Sequence, residues 1–204
     1  MGRPPHTPDG LSVWCHFSQV DVAEATIAFG APLVEKLMEN NGAKDRKMAR
    51  KPRALILAPT RELALQVCEA FEKYAAHMRG VHVLPVYGGQ GYGVQLSALR
   101  RGVHIVVGTP GRLIDLMNQG HLDLRFVRTL VLDEADEMLD LGFLPDVERL
   151  ISKTPKSRQT LLFSATMPAA IVALSRMHLS QPIIVRAETH DAQLTVPDTT
   201  QFVY

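Results

Sequence analysis

The stretch Arg53-Ala54-Leu55-Ile56-Leu57-Ala58-Pro59-Thr60-Arg61-Glu62-Leu63-Ala64 decides the fold. Its apolar run, residues 54–58, is too short for a helix and too continuous for a half-exposed strand, so it reads as a strand buried on both faces. Residues 61–77 then carry apolar positions at helical spacing. The same rhythm recurs down the chain. Apolar, β-branched runs at 81–86, 104–107, 129–132, 160–163 and 183–185 read as strands, and residues 90–99, 112–117, 145–152 and 169–178 read as helices. Alternation at this spacing implies right-handed βαβ crossovers, hence an α/β fold with a doubly wound, mostly parallel sheet and helices on both faces.

The flanks are less regular. Residues 1–20 hold Pro4, Pro5, Pro8, Asp9, Gly10 and Trp14 without a sustained period and read as irregular. Residues 32–38 place Leu33, Val34, Leu37 and Met38 at helical spacing, a short helix ending near Asn41-Gly42. Residues 44–53 carry six basic residues and one acid. That run reads either as a solvated loop or as a patch facing RNA.

Composition narrows the class. A chain of 204 residues with 46% hydrophobic and 21% charged residues can bury one sizeable core, removing about 70% of the unfolded surface from water. No apolar run approaches the roughly 20 residues that span a bilayer, and the N-terminus lacks the apolar segment of a signal peptide, so a cytoplasmic protein without membrane contact is expected. Cys15 and Cys68 are too few for a disulfide framework, and the histidines lack metal-ligand spacing. A net charge of +1 decides nothing, because a face can be locally basic while the total cancels.

Ligands of such sheets bind beyond the carboxyl ends of the strands, where helix N-termini offer unpaired N–H groups. Several polar segments fall there. Asp133-Glu134-Ala135-Asp136 follows Leu130-Val131-Leu132 directly. Asp133 can hold Mg²⁺ through water and Glu134 can activate an attacking water for phosphoryl transfer; alternatively the acids start a helix, with Asp133 as its N-cap. In Thr109-Pro110-Gly111-Arg112, Thr109 and Pro110 suit a plain helix start, whereas Arg112 opposes the helix dipole unless an anion sits there. Arg61 raises the same question. Gly88-Gly89 can admit a nucleic-acid backbone or serve as a flexible turn, and Ser164 and Thr166 can bond to the acidic segment or cap the helix after Pro168. With aromatic residues at only 6%, Tyr87 and Tyr92 give little sign of base stacking.

Taken in order, Pro59-Thr60-Arg61-Glu62-Leu63-Ala64, Gly88-Gly89, Thr109-Pro110-Gly111-Arg112, Asp133-Glu134-Ala135-Asp136 and Ser164-Ala165-Thr166 resemble the motifs of the first RecA-like domain of the DEAD-box ATP-dependent RNA helicases. The resemblance implies a P-loop NTPase type of sheet over residues 29–186, with 1–28 outside the family pattern and 187–204 leading toward a second domain. It implies ATP and Mg²⁺ as cofactors. Asp133 would hold Mg²⁺ through water, Glu134 would activate water, and Asp136, Ser164 and Thr166 would couple the nucleotide to RNA. Thr60, Arg61, Gly88, Gly89, Thr109, Gly111 and Arg112 would meet the sugar-phosphate backbone of one RNA strand, independent of its sequence.

Two parts of the family pattern are expected to be missing, the second RecA-like domain and the phosphate-binding loop. Members carry a G-x-x-x-x-G-K-[ST] loop that wraps phosphates. None of the 14 glycines here precedes a lysine, and Val22-Ala23-Glu24-Ala25-Thr26 stands where Gly-Thr-Gly-Lys-Thr is expected. Only Thr26 survives as a weak nucleotide or Mg²⁺ ligand. The expectation is therefore a helicase half with weak or absent ATP binding, inactive alone. The alternative is a non-catalytic RNA-binding or partner-docking module.

Overall fold

The computed structural model describes residues 13–17, 30, 33, 51–75, 81–179 and 181–187. Its strands are β1 (Val13–Phe17), β2 (Ala54–Leu57), β3 (Val83–Val86), β4 (Ile105–Gly108), β5 (Thr129–Leu132), β6 (Gln159–Ser164) and β7 (Ile183–Ala187). They form one sheet in the order β3-β4-β2-β5-β6-β1-β7, and every paired neighbour is parallel. The helices are α1 (Arg61–Ala75), α2 (Tyr92–Arg101), α3 (Pro110–Asn118), α4 (Ala135–Asp140), α5 (Leu144–Ser152) and α6 (Ala169–His178).

Side chains alternate across each strand, so a continuous apolar run serves two cores. Leu55 and Leu57 of β2, Val106 of β4 and Leu130 and Leu132 of β5 pack with Leu113 and Leu116 of α3, Leu150 of α5 and Leu174 of α6. Their neighbours Ala54, Ile56, Ile105, Val107 and Val131 pack on the opposite face with Leu63, Val67 and Phe71 of α1 and with Leu33. Both faces are therefore covered, as the continuous runs require. Each fully buried Leu or Ile contributes about 1.5–3 kcal/mol.

Two readings are corrected. Residues 1–20 are not irregular throughout: β1 lies inside the sheet, with Val13 opposite both Leu161 and Ile183. Five residues are too few to show a period, and pairing on both sides outweighs the Pro- and Gly-rich flank. The acidic strand end leads into a helix, α4, as one of the two readings of that segment expects. Arg53, the last cation of the basic run, is buried at 8% exposure rather than solvated. Of the helix expected at 32–38, Leu33 alone is described, and it is helical and buried; the remainder, with most of 44–53, Thr26 and the stretch after Ala187, lies outside the described residues.

Candidate active site and nucleic-acid rim

Backbone bonds at the carboxyl ends of the strands line the polar segments along one rim. The Thr109 N–H donates to the Val86 carbonyl at 3.0 Å, Ala58 N–H to the Gly108 carbonyl at 3.1 Å, and Asp133 N–H to the Leu57 carbonyl at 3.0 Å. The rim thus has two adjoining sectors. Gly88, Gly89, Thr109, Gly111, Arg112, Thr60 and Arg61 follow β3, β4 and β2, while Asp133, Glu134 and Asp136 follow β5, Ser164 ends β6 and Thr166 follows it. Sequence reasoning missed what lets β3 and β4 approach so closely. A Cβ on Gly108 would lie 2.2 Å from the Val86 carbonyl oxygen.

In the acidic sector, Asp133 is buried at 3% exposure, and its Oδ2 has no hydrogen-bond partner. Burial first, and then the Glu134 carboxylate, push its pKa up from 3.8 to about 7. An unpartnered carboxylate oxygen held out of water fits a hard, oxygen-seeking cation such as Mg²⁺. Asp133 is not the N-cap. Glu134 occupies that position in the left-handed region, at φ 51° and ψ 56°, without a side-chain cap bond. Such a conformation costs a non-glycine residue about 1–2 kcal/mol and turns the chain sharply between strand and helix. Burial, then Glu137 and Asp136, raise the Glu134 pKa.

Asp136 closes this sector. Its Oδ2 accepts from the Thr166 N–H and from Thr166 Oγ1, each at 2.8 Å, and Ser164 Oγ donates to the Thr166 carbonyl at 2.7 Å. Burial works to raise the Asp136 pKa, but hydrogen bonds led by the Thr166 hydroxyl outweigh it and leave the group lowered. Thr166 therefore ties the end of β6 to α4, whereas Pro168 caps α6 without a side-chain bond.

In the other sector, Thr60 Oγ1 accepts from the Leu63 N–H at 3.2 Å and caps α1. Thr109 caps α3 by backbone alone, with Pro110 in the first turn. Gly88, Gly89 and Gly111 line the rim, and a Cβ at any of them would meet open space. Gly89 has φ +82°, which favours glycine at that turn. The tyrosines take the arginines: the Arg61 guanidinium lies 5.0 Å from the centre of the Tyr87 ring, and that of Arg112 lies 4.1 Å from the centre of the Tyr92 ring. Arg112 Nη2 also donates to the Gln90 carbonyl at 3.0 Å, and the Tyr92 hydroxyl donates to Asp115. Gln95, unmarked in the sequence because a lone helical glutamine reads as surface, is fully buried.

A family model described as DEAD/DEAH box helicase matches residues 26–174. The chain belongs to this family. The chain is 51% identical over 167 residues to the ATP-dependent RNA helicase DeaD of Mycobacterium tuberculosis (strain ATCC 25618 / H37Rv), covering 82% of this chain and 28% of that protein. The DeaD helicase of Escherichia coli (strain K12) is 50% identical over 176 residues, covering 86% and 26%. Among solved structures, a DEAD box protein from the hyperthermophile Methanococcus jannaschii superposes with a TM-score of 0.75 at 36% identity, over 87% of this chain and 46% of that one. A hypothetical ATP-dependent RNA helicase from Sulfolobus tokodaii gives 0.74 at 30% identity, over 87% and 48%. This DEAD-box chain thus spans under a third of the curated relatives it matches and about half of the solved ones. The matched part is the N-terminal domain of the helicases. Among the described residues no helix is long and apolar enough to cross a membrane, and no group of three or more His, Cys, Asp or Glu forms a metal cluster.

Proposed function

We propose that this chain is the RNA-gripping half of an ATP-dependent RNA helicase, and that on its own it binds single-stranded RNA, holds nucleotide weakly and separates no duplex. The reading rests on the adjacency of the two sectors on neighbouring strands, joined where Asp133 N–H meets the Leu57 carbonyl at 3.0 Å. An RNA strand running past Thr60, Arg61, Gly88, Gly89, Thr109, Gly111 and Arg112 meets open glycine backbone and helix N-termini. Those groups bind phosphate without reading bases.

The acidic sector fits the cation. Asp133 would hold Mg²⁺ through water, and the ion when bound would neutralise phosphate charge. Glu134, made more basic by burial, takes a proton from water more readily than an exposed glutamate does. Asp136, through Thr166, fixes the distance between the two strand ends, so displacement of one moves the other. The nucleotide itself is less well served. Without a Gly-Lys-Thr cradle, two or three charge-assisted hydrogen bonds of about 1.5–3 kcal/mol each are absent, which weakens phosphate binding by about a thousandfold or more. Thr26 is a single hydroxyl and does not replace them.

Calorimetric titration with Mg·ATP, and anisotropy with a fluorescent single-stranded RNA, test this. RNA binding that falls steeply with salt, alongside ATP binding weaker than millimolar, is expected. Micromolar ATP binding abolished by Asp133→Ala refutes the weak-nucleotide reading, and failure to bind RNA refutes the RNA-gripping one.

A further inference from the structure

Arg112 does not reach out from the rim. Its guanidinium stacks on Tyr92 at 4.1 Å, Nη2 is committed to the Gln90 carbonyl at 3.0 Å, and Nη1 is out of contact with solvent and without a partner. The nitrogen left without a partner is closed to solvent, so a phosphate reaches it only if the loop moves. Gln95 of α2 works on the same loop from below. Its side-chain nitrogen donates to the Tyr87 carbonyl at 3.1 Å and to Gln90 Oε1 at 3.0 Å, so both its N–H groups are used. Tyr87 and Gln90 are the residues on either side of Gly88-Gly89.

Three hydrogen bonds therefore pin both ends of a glycine pair whose own surface is left open. A wholly buried glutamine whose Oε1 finds no partner costs free energy that an apolar residue would not. The chain of contacts extends further, since Tyr87 also carries Arg61 and Tyr92 holds Asp115.

We propose that Gln95 and Arg112 are positioning residues that preset the Gly88-Gly89 backbone for an RNA strand, and that Arg112 acts through the loop rather than on a phosphate. This rests on the RNA-binding reading given above. Two readouts separate the inference from that reading.

The first is the salt dependence of single-stranded oligouridylate binding by the full chain. Each lost phosphate contact on a single strand lowers the log–log slope by about 0.7. Gln95→Leu and Arg112→Ala should each weaken binding about tenfold with unchanged slope, while Arg61→Ala, removing an exposed cation, lowers the slope. The second is native-state hydrogen exchange at residues 88–91 without RNA, which both variants should accelerate at least about tenfold while the core amides of β4 and β5 stay protected. Gln90→Ala, on the loop itself, supplies the same test if Gln95→Leu does not fold. A slope lowered by Arg112→Ala, or loop exchange unchanged in Arg112→Ala and in whichever glutamine variant folds, overturns the inference. Absence of RNA binding by the wild type sinks the RNA reading, and exchange alone then decides whether the loop is pinned.

Discussion

Replacing Asp133 by asparagine tests the acidic sector where its physics is most exposed. Burial and the Glu134 charge raise the Asp133 pKa from 3.8 to about 7. The folded state therefore holds a proton that the unfolded chain releases from about pH 4 upward, and stability falls with rising pH until the folded value is passed. At about 1.36 kcal/mol per pH unit, this group alone removes about 4 kcal/mol between pH 4 and pH 8. An asparagine side chain in its place does not titrate. Urea unfolding of wild type and Asp133→Asn across this range should show the wild type losing about 2–4 kcal/mol more than the variant, at equal m-values. The difference cancels the other titrating groups, including His104 and His178, whose lowered pKa values act in the opposite direction. Added Mg²⁺ at pH 8 should stabilise the wild type and leave Asp133→Asn unmoved. Parallel stability profiles for the two proteins would show that the carboxylate is ionised at no cost, and the argument for a cation at Asp133 would fall with it.

Other expectations are simpler. Gly108→Ala forces a Cβ to 2.2 Å from the Val86 carbonyl and should cost at least about 2 kcal/mol in chemical denaturation, since backbone cannot yield as a side chain does. Glu134→Gly relieves the left-handed backbone at φ 51° and should raise stability by about 1 kcal/mol, read as a higher urea midpoint. A double-mutant cycle on Asp136→Ala and Thr166→Val should give a coupling of about 1 kcal/mol at pH 7. Because the Asp136 pKa is lowered, its contribution is complete above the ordinary carboxylate range and disappears as pH falls through the folded value. A cycle energy near zero at pH 7 would contradict the bond.

Much of this arrangement is readable from the chain because parallel strands buried on both faces must be apolar throughout. Residues 129–132 show it best, with the predicted and observed strands coinciding. What escapes a reading of the sequence is set by partners remote along it. β1 is a strand because β6 and β7 flank it, Arg53 is buried because the strand it precedes lies inside the sheet, and α4 follows an N-cap whose positive φ no composition rule assigns to glutamate. The candidate site is legible in its residue types but not in their commitments. Arg112 has the position of a free cation in a helix's first turn, and the rarity of aromatics diverts attention from tyrosines that carry arginines rather than bases. Gln95 gives no signal at all, since only burial distinguishes it from any polar helix position.

The place of β1 has a consequence for how the chain is made. Residues 13–17 pair with strands 159–164 and 183–187, so among the described strands the first in sequence waits for the last two. The β3-β4-β2-β5 portion can assemble in passing, from contacts near in sequence, but the remaining part of the sheet closes only once residues 159–187 have emerged. Pairings so distant are slow to form. During that delay the open β5 edge and an unpaired apolar strand are together what a chaperone binds or an aggregate recruits.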